Sequence, residues 1–232
     1  MRKMARVYGT AESFKVRRTV IEMLIDRGYM VQSDDMSPWS AEMLLNQTFQ
    51  DFDGEFHTAP FSWKILGTHK LRKSSANSLN QETIKVRPVP VIDKDLIDKL
   101  KVETQNRETR PLDRVIYVIY GREGKKLDSP NKTIQARIDE AQRANGIVIE
   151  HFLVTRLLIN ITKHVLVPKH VLLSEMEKSV VLKEYRCTEG QIPIIESSDP
   201  MARYLGLLPN DVVRISRPSE TVGIYTTFRI CH

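Results

Sequence analysis

The sequence predicts an α/β N-terminal domain over residues 1–152, followed by a small α+β C-terminal domain with a mixed sheet over 157–232. Three observations carry that reading. Val115 to Tyr120 are six consecutive apolar or aromatic residues, the pattern of a strand buried on both faces. Ser129-Pro130 then opens a helix with Ile134, Ile138 and Ala141 at one-face spacing, and Gly146 closes it before a strand from Ile147 to Phe152. This β-α-β order calls for parallel neighbouring strands and a right-handed crossover. Beyond residue 157 the pattern changes to short capped helices and a hairpin, sized to fold as a unit.

Taken in order, Thr10 caps a first helix whose polar stripe is Lys15, Thr19, Glu22 and Asp26. Val16, Val20, Met23 and Leu24 lie on one face of it and Phe14, Ile21 and Ile25 on the opposite one, so the helix is substantially buried; Gly28 ends it. Ser37-Pro38 starts a second helix carrying Trp39, Met43 and Leu44. Residues 50–80 are polar and turn-rich and read as a long loop or insertion, with one short strand at Phe61 to Ile65. Ile84 to Pro88 is a strand, and Asp93, Leu96, Ile97 and Leu100 mark the next helix. In the second domain the capping box Ser174-Glu175-Met176-Glu177 starts a helix with Val181, Leu182 and Tyr185 on one face. Asp199-Pro200 opens a short helix that Gly206 ends, and Pro209-Asn210 turns the chain into a strand from Val212 to Ser216. Pro218 to Gly223 forms a long hairpin loop leading to Ile224 to Ile230.

Composition narrows the class. The chain is 41% hydrophobic and 28% charged, and no apolar run approaches the roughly 20 residues of a membrane span. Met1 to Arg6 begin like a charged signal n-region, but Tyr8-Gly9-Thr10 and Glu12 stand where its apolar core belongs, so an intracellular protein without membrane contact is expected. Cys187 and Cys231 are far apart and lack metal-ligand spacing, which fits a reducing compartment. The net charge of +6 permits contact with nucleic acid without demanding it. Two acid-poor clusters, Lys64 with Lys70, Arg72 and Lys73, and Arg122 with Lys125, Lys126 and Lys132, read either as solvated loop charge or as phosphate-contacting surface.

A search for catalytic chemistry finds little. Gly121-Arg122-Glu123-Gly124-Lys125-Lys126 lacks the spacing of a phosphate-binding loop and reads as a surface turn. His164 and His170 have no Cys or carboxylate nearby to complete a metal site and read as structural or interfacial. There is no Gly-x-Ser-x-Gly elbow, and Cys187 has no adjacent His, so it belongs to packing. No catalytic residue, metal or cofactor is expected. One alternative stays open, a stand-alone metal-dependent nucleic-acid-processing enzyme, because linear sequence does not show whether acidic residues converge.

Asn160 to His170 (NITKHVLVPKH), Asp199 to Leu207 (DPMARYLGL) and Arg217 to Thr221 (RPSET) stand in order at the spacing of one family. They resemble the fifth-largest subunit shared by eukaryotic nuclear RNA polymerases, whose C-terminal module corresponds to a small separate subunit of the archaeal RNA polymerase. The match is close over about the last 75 residues. Over the first 150 or so it is looser, resting on Asp26-Arg27-Gly28-Tyr29, the β-α-β pattern and Ser129-Pro130. It departs from the family where Ile194 stands in place of a frequent basic residue, Val165 in place of a polar or acidic one, and Leu208-Pro209-Asn210-Asp211 in place of a basic-Gly turn.

The resemblance implies a non-catalytic structural subunit of a multisubunit nuclear DNA-directed RNA polymerase. By it, residues 1–152 are a jaw domain near downstream double-stranded DNA, bound without sequence preference, and 157–232 an assembly domain docking on the largest subunit beside neighbouring small subunits. His164, Pro168, His170, Pro200, Arg203, Tyr204, Arg217, Ser219 and Glu220 are the implied interface with the polymerase core. Lys125, Lys126, Ser129, Pro130, Asn131 and Lys132 are the implied DNA-facing residues.

Overall fold

The computed structural model describes residues 8–33, 41–59, 61–69, 82–105, 112–121, 129–221 and 223–232. The chain divides into two compact units, Met1–Ile159 and Asn160–His232.

The first unit is built on a five-stranded sheet in the order β1-β2-β3-β4-β5, with β1 Met30–Ser33, β2 Ile65–His69, β3 Glu82–Val89, β4 Arg114–Ile119 and β5 Val148–Leu153. β3, β4 and β5 pair in parallel, and α5 (Lys132–Asn145) connects the last two, as the β-α-β pattern predicts. β1 and β2 instead pair antiparallel to each other, and β2 antiparallel to β3. The sheet is therefore mixed rather than purely α/β. Antiparallel neighbours need no crossover helix, and β1 is too short, and β2 too polar at Thr68 and His69, to announce themselves in a hydrophobicity pattern.

All six residues of β4 are buried, so the two-sided burial read from its run is observed. One face of the sheet packs Val115, Tyr117 and Ile119 against Ile97 and Leu100 of α4 (Lys94–Gln105) and Ile138 and Ala141 of α5. α1 (Thr10–Asp26) buries Val16, Val20, Ile21, Met23 and Leu24 completely. Its N-cap is Gly9 rather than Thr10, Thr19 from its expected polar stripe is buried, and so is Arg17.

The expected loop over 50–80 is partly ordered core. α2 (Ala41–Asn46) precedes α3 (Phe49–Phe56), whose Phe52 is fully buried and lies 5.3 Å, centroid to centroid, from Phe14. Thr48 caps α3, and Arg17 of α1 sits over the Phe52 and Phe56 rings at 5.4 Å. The strand expected at 61–65 begins instead at Ile65, while Trp63 is buried and donates its indole N–H to Ser13 Oγ at 2.9 Å. Polar residues hid this element because two phenylalanines on successive turns are enough to anchor an eight-residue helix. Ser37-Pro38, Pro60 and residues 70–81 lie outside the described residues.

The second unit has a four-stranded mixed sheet in the order β6-β8-β9-β7, with β6 Lys169–Leu172, β7 Ile194–Ile195, β8 Val212–Ser219 and β9 Gly223–Cys231. Val212 and Ile230 share a core with Leu173 and Ile192, against which Val181 and Leu182 of α7 (Glu175–Glu184) and Cys187 pack. The Ser174 capping box is present: Ser174 N and Oγ both donate to Glu177 Oε2 at 2.8 Å. α6 (Val154–Leu157) ends the first unit, and α8 (Pro200–Leu205) completes the second.

Candidate functional site

In the second unit, local sequence chemistry holds three projecting features in place. The first begins at Asn160, which is 8% exposed. Its Oδ1 accepts from the Thr162 N–H at 3.0 Å and from Thr162 Oγ1 at 2.7 Å, closing a one-turn helix, while its Nδ2 donates to Tyr204 Oη at 3.2 Å. The chain then turns at His164, whose carbonyl accepts from Val167 N–H and whose Nδ1 accepts from Leu166 N–H at 3.2 Å. These bonds present Val165 and Leu166 to solvent, 96% and 84% exposed. Pro168 and His170 follow, half-buried, with His170 Nδ1 donating to the Pro168 carbonyl at 2.7 Å.

The second feature is α8. Asp199 Oδ1 accepts from Met201 N–H at 2.7 Å, Pro200 occupies the first turn, and Gly206 closes the helix at φ 61°, a left-handed conformation that suits a residue without Cβ. Pro200 is exposed and Arg203 half-buried, but Tyr204 is only 3% exposed. Tyr204 therefore shapes this surface from beneath it.

The third is the β8–β9 ribbon. The long loop expected over Pro218 to Gly223 does not form, because the ladder continues through Arg217↔Tyr225, Pro218↔Ile224 and Ser219↔Gly223. Pro218 keeps its place because a strand beyond the last neighbour needs no N–H donor there. β6 pairs β8 only as far as Ser216, so these final rungs extend beyond it. Arg217 and Glu220 are exposed and Ser219 is half-buried; Ile224 and Tyr225 add 70% and 55% exposed apolar surface. Val165, Leu166, Ile224 and Tyr225 are not among the interface residues expected from the sequence. The signal was the extended alternation on both sides of Pro218, which a proline reads as breaking.

In the first unit, Asn131 rather than Ser129 caps α5: its Oδ1 accepts from Ile134 N–H at 2.9 Å. Ser129 and Pro130 precede the cap, and Lys132, exposed, is the first helical residue with no acidic neighbour in that turn. Arg122, Lys125 and Lys126 lie outside the described residues, as do Lys70, Arg72 and Lys73; Lys64 is exposed.

Two carboxylates of the first unit converge, and arginines occupy both. Glu150 accepts from Arg27 at 2.8 and 3.1 Å and from Arg114 at 2.5 Å; Glu82 accepts from Arg114 Nε at 3.2 Å and from Tyr29 Oη at 2.7 Å. Burial pushes Glu150 up, but Arg27 and Arg114 outweigh it and hold the carboxyl at about 2. Held in this way, Glu150 is an ionised hydrogen-bond acceptor, unsuited to shuttling a proton near neutrality. Among the described residues, no three His, Cys, Asp or Glu side chains are grouped so as to hold a metal ion, and no helix is long and apolar enough to cross a membrane.

Comparison with known proteins fits this geometry. Residues 159–231 match the family described as RNA polymerase Rpb5, C-terminal domain, a span that contains all three projecting features. The DNA-directed RNA polymerases I, II, and III subunit RPABC1 of Caenorhabditis briggsae is 32% identical over 221 residues, covering 95% of this chain and 96% of that one. The chain belongs to the Rpb5 family of RNA polymerase subunits. Its Caenorhabditis elegans relative of the same name is 31% identical over the same coverage. The Dictyostelium discoideum one reaches 49% over 92 residues, 40% of this chain and 47% of that protein. Val165, Ile194 and Leu208 are all exposed, so these apolar side chains belong to the surface and not to the core.

Proposed function

We propose that this chain is a non-catalytic structural subunit of nuclear DNA-dependent RNA polymerase, serving in transcription through its surfaces rather than through an active site. In this reading residues 157–232 are the assembly domain and dock on the largest subunit beside neighbouring small subunits. Residues 1–152 are the jaw, placed near downstream double-stranded DNA. The observation that carries the assembly role is the rigidly held apolar display of the second unit, Val165 and Leu166 on one turn and Ile224 and Tyr225 on the ribbon. Large apolar side chains fixed by hydrogen-bonded backbone lose little entropy on docking and so suit an interface. The relatives' names, subunits of RNA polymerases I, II and III, supply the partner class and support sharing among the three enzymes. Lys132 at the start of α5, with Lys125 and Lys126 beside it in sequence, supports phosphate contact.

The test is recovery of the largest subunit with tagged chain from its native cells. Ile224→Glu and Arg217→Glu should each reduce recovery about tenfold, the loss expected when an interface anchor is removed. Wild-type recovery with both variants would remove the ribbon from the interface. For the jaw, neutralising Lys125, Lys126 and Lys132 should flatten the salt dependence of DNA binding by the assembled enzyme, by roughly 0.9 in slope for each phosphate no longer neutralised. An unchanged slope would take the DNA contact away from this segment.

A further inference from the structure

Charge is unevenly distributed along this basic chain. From Gly28 to Trp63 there is no Lys or Arg, while Asp34, Asp35, Glu42, Asp51, Asp53 and Glu55 fall within that stretch. α2 and α3 lie in it, and between them is an open groove of about 440 Å³ lined by Glu42, Met43, Asn46, Gln47 and Asp51. Met43 is 52% exposed and Phe49, at the start of α3, 43%.

The groove is built on fixed supports. Phe49 packs edge-on against Phe14 of α1 at 5.8 Å, and Gln47 is held from below by the Arg17 guanidinium and in turn donates to Glu55 at 3.1 Å. Hydrogen bonds from Thr48 hold the Asp51 carboxyl below the usual carboxylate range, so it is charged throughout the physiological range. The result is an exposed, adaptable methionine set between the carboxylates of Glu42 and Asp51.

We infer that this α2–α3 groove is a docking site for a protein partner that presents Lys or Arg residues around one or two large apolar side chains. Charge complementarity selects that occupant: the Glu42 and Asp51 carboxylates attract a cationic segment, and exposed Met43 between them is left uncovered by a purely charged chain. The same sign excludes the phosphate backbone of nucleic acid, so the first unit carries a protein-binding face as well as the basic start of α5. The groove is separate from the assembly features of the second unit and goes beyond the assembly role.

The experiment uses the full chain and a fluorescent helical peptide of Leu, Lys and Ala with its leucines on one face, read by anisotropy at about 0.15 M salt, where the Debye length is about 8 Å. The comparison peptide has the same composition with its leucines dispersed. Binding of the first peptide should weaken about tenfold in Glu42→Lys and in Met43→Ser, with circular dichroism and melting temperature unchanged, since both side chains are exposed. Both variants should still co-purify with the largest polymerase subunit, which separates this site from the assembly surface. Equal binding of the two peptides would reduce the groove to bulk charge and overturn the inference. Unchanged affinity in either variant would place binding elsewhere and overturn it too. Self-association of the chain that is abolished by Glu42→Lys would give the groove to a second copy and would likewise refute a partner protein.

Discussion

Replacing Glu150 with Gln should be among the most destabilising conservative changes in the first unit. The Glu150 side chain is 16% exposed and the arginines it serves, Arg27 and Arg114, are 0% and 2% exposed. Removing one member of a buried ion pair costs about 3–5 kcal/mol, because the remaining charge is left desolvated without its counter-charge. Proton linkage gives a similar figure. Glu150 is held at about 2 in the folded chain. An unfolded Glu titrates near 4.3, and a difference of about 2 pKa units is about 3 kcal/mol. Because the folded value is depressed, this stability is fully present above about pH 5 and is lost as pH falls toward 2. Thermal unfolding at pH 7 should show a drop of about 6–20 °C for Glu150→Gln, at about 2–4 °C per kcal/mol for a domain of this size. The gap between variant and wild type should close as pH falls from about 4.5 to 2, where wild-type Glu150 is itself neutralised. Glu103 is the control. It also sits at about 2 beside Arg87 and Lys85, the cause being first the Arg87 hydrogen bonds, but its side chain is 30% exposed. Solvent screening limits Glu103→Gln to about 1 kcal/mol. Equal losses for the two variants would refute burial as the source of the difference.

Two further expectations concern local geometry. Lys178 is buried and donates to the Asn210 carbonyl at 3.0 Å and to Glu189 at 2.9 Å, pinning a turn in which Asn210 has φ 73°. Lys178→Met should cost about 1–3 kcal/mol and accelerate amide exchange at residues 208–211 about tenfold or more; unchanged exchange would show the lysine to be dispensable there. A Cβ at Gly67 would stand 2.7 Å from Ile84 Cγ2 and 3.3 Å from Tyr29 Cβ, whereas one at Gly146 would meet nothing within 4 Å and suffer only the left-handed backbone at φ 66°. Denaturant midpoints should place Gly67→Ala below Gly146→Ala, about 1–3 against about 1 kcal/mol, and the reverse order would contradict the close approach of β2 to β3.

What could be read from the sequence follows from how locally each feature is encoded. Ser174 with Glu177, and Asp199 with Pro200 and Gly206, specify helix ends through contacts within a few residues, and the structure has them as read. The β4 run was legible because a strand buried on both faces needs no partner to be recognised. α3 was missed because Phe52 and Phe56 acquire meaning only when Phe14 and Arg17, more than thirty residues earlier, stack against them. The end of the ribbon, 218–223, was read as a loop for a related reason: Pro218 breaks strands in general, and it is tolerated here because β6 pairs β8 no further than Ser216 and leaves no neighbour on that side to need its N–H. Of the candidate site, the capping and turn residues that shape it were legible, but the exposed apolar tips were not. Exposure is a property of the finished surface, and Val165 looks in sequence like any other core valine.

The Arg27–Glu150 clasp spans 123 residues of chain. A contact of that separation closes only after β3, β4 and β5 have assembled, because the loop it completes is expensive until neighbouring pairings shorten it. The clasp is therefore expected to form after the rate-limiting step, so that in stopped-flow kinetics Glu150→Gln should raise the unfolding rate and leave the folding rate nearly unchanged. Interactions of that kind leave the folding rate nearly untouched and act on unfolding, so the clasp governs how long a finished first unit stays closed.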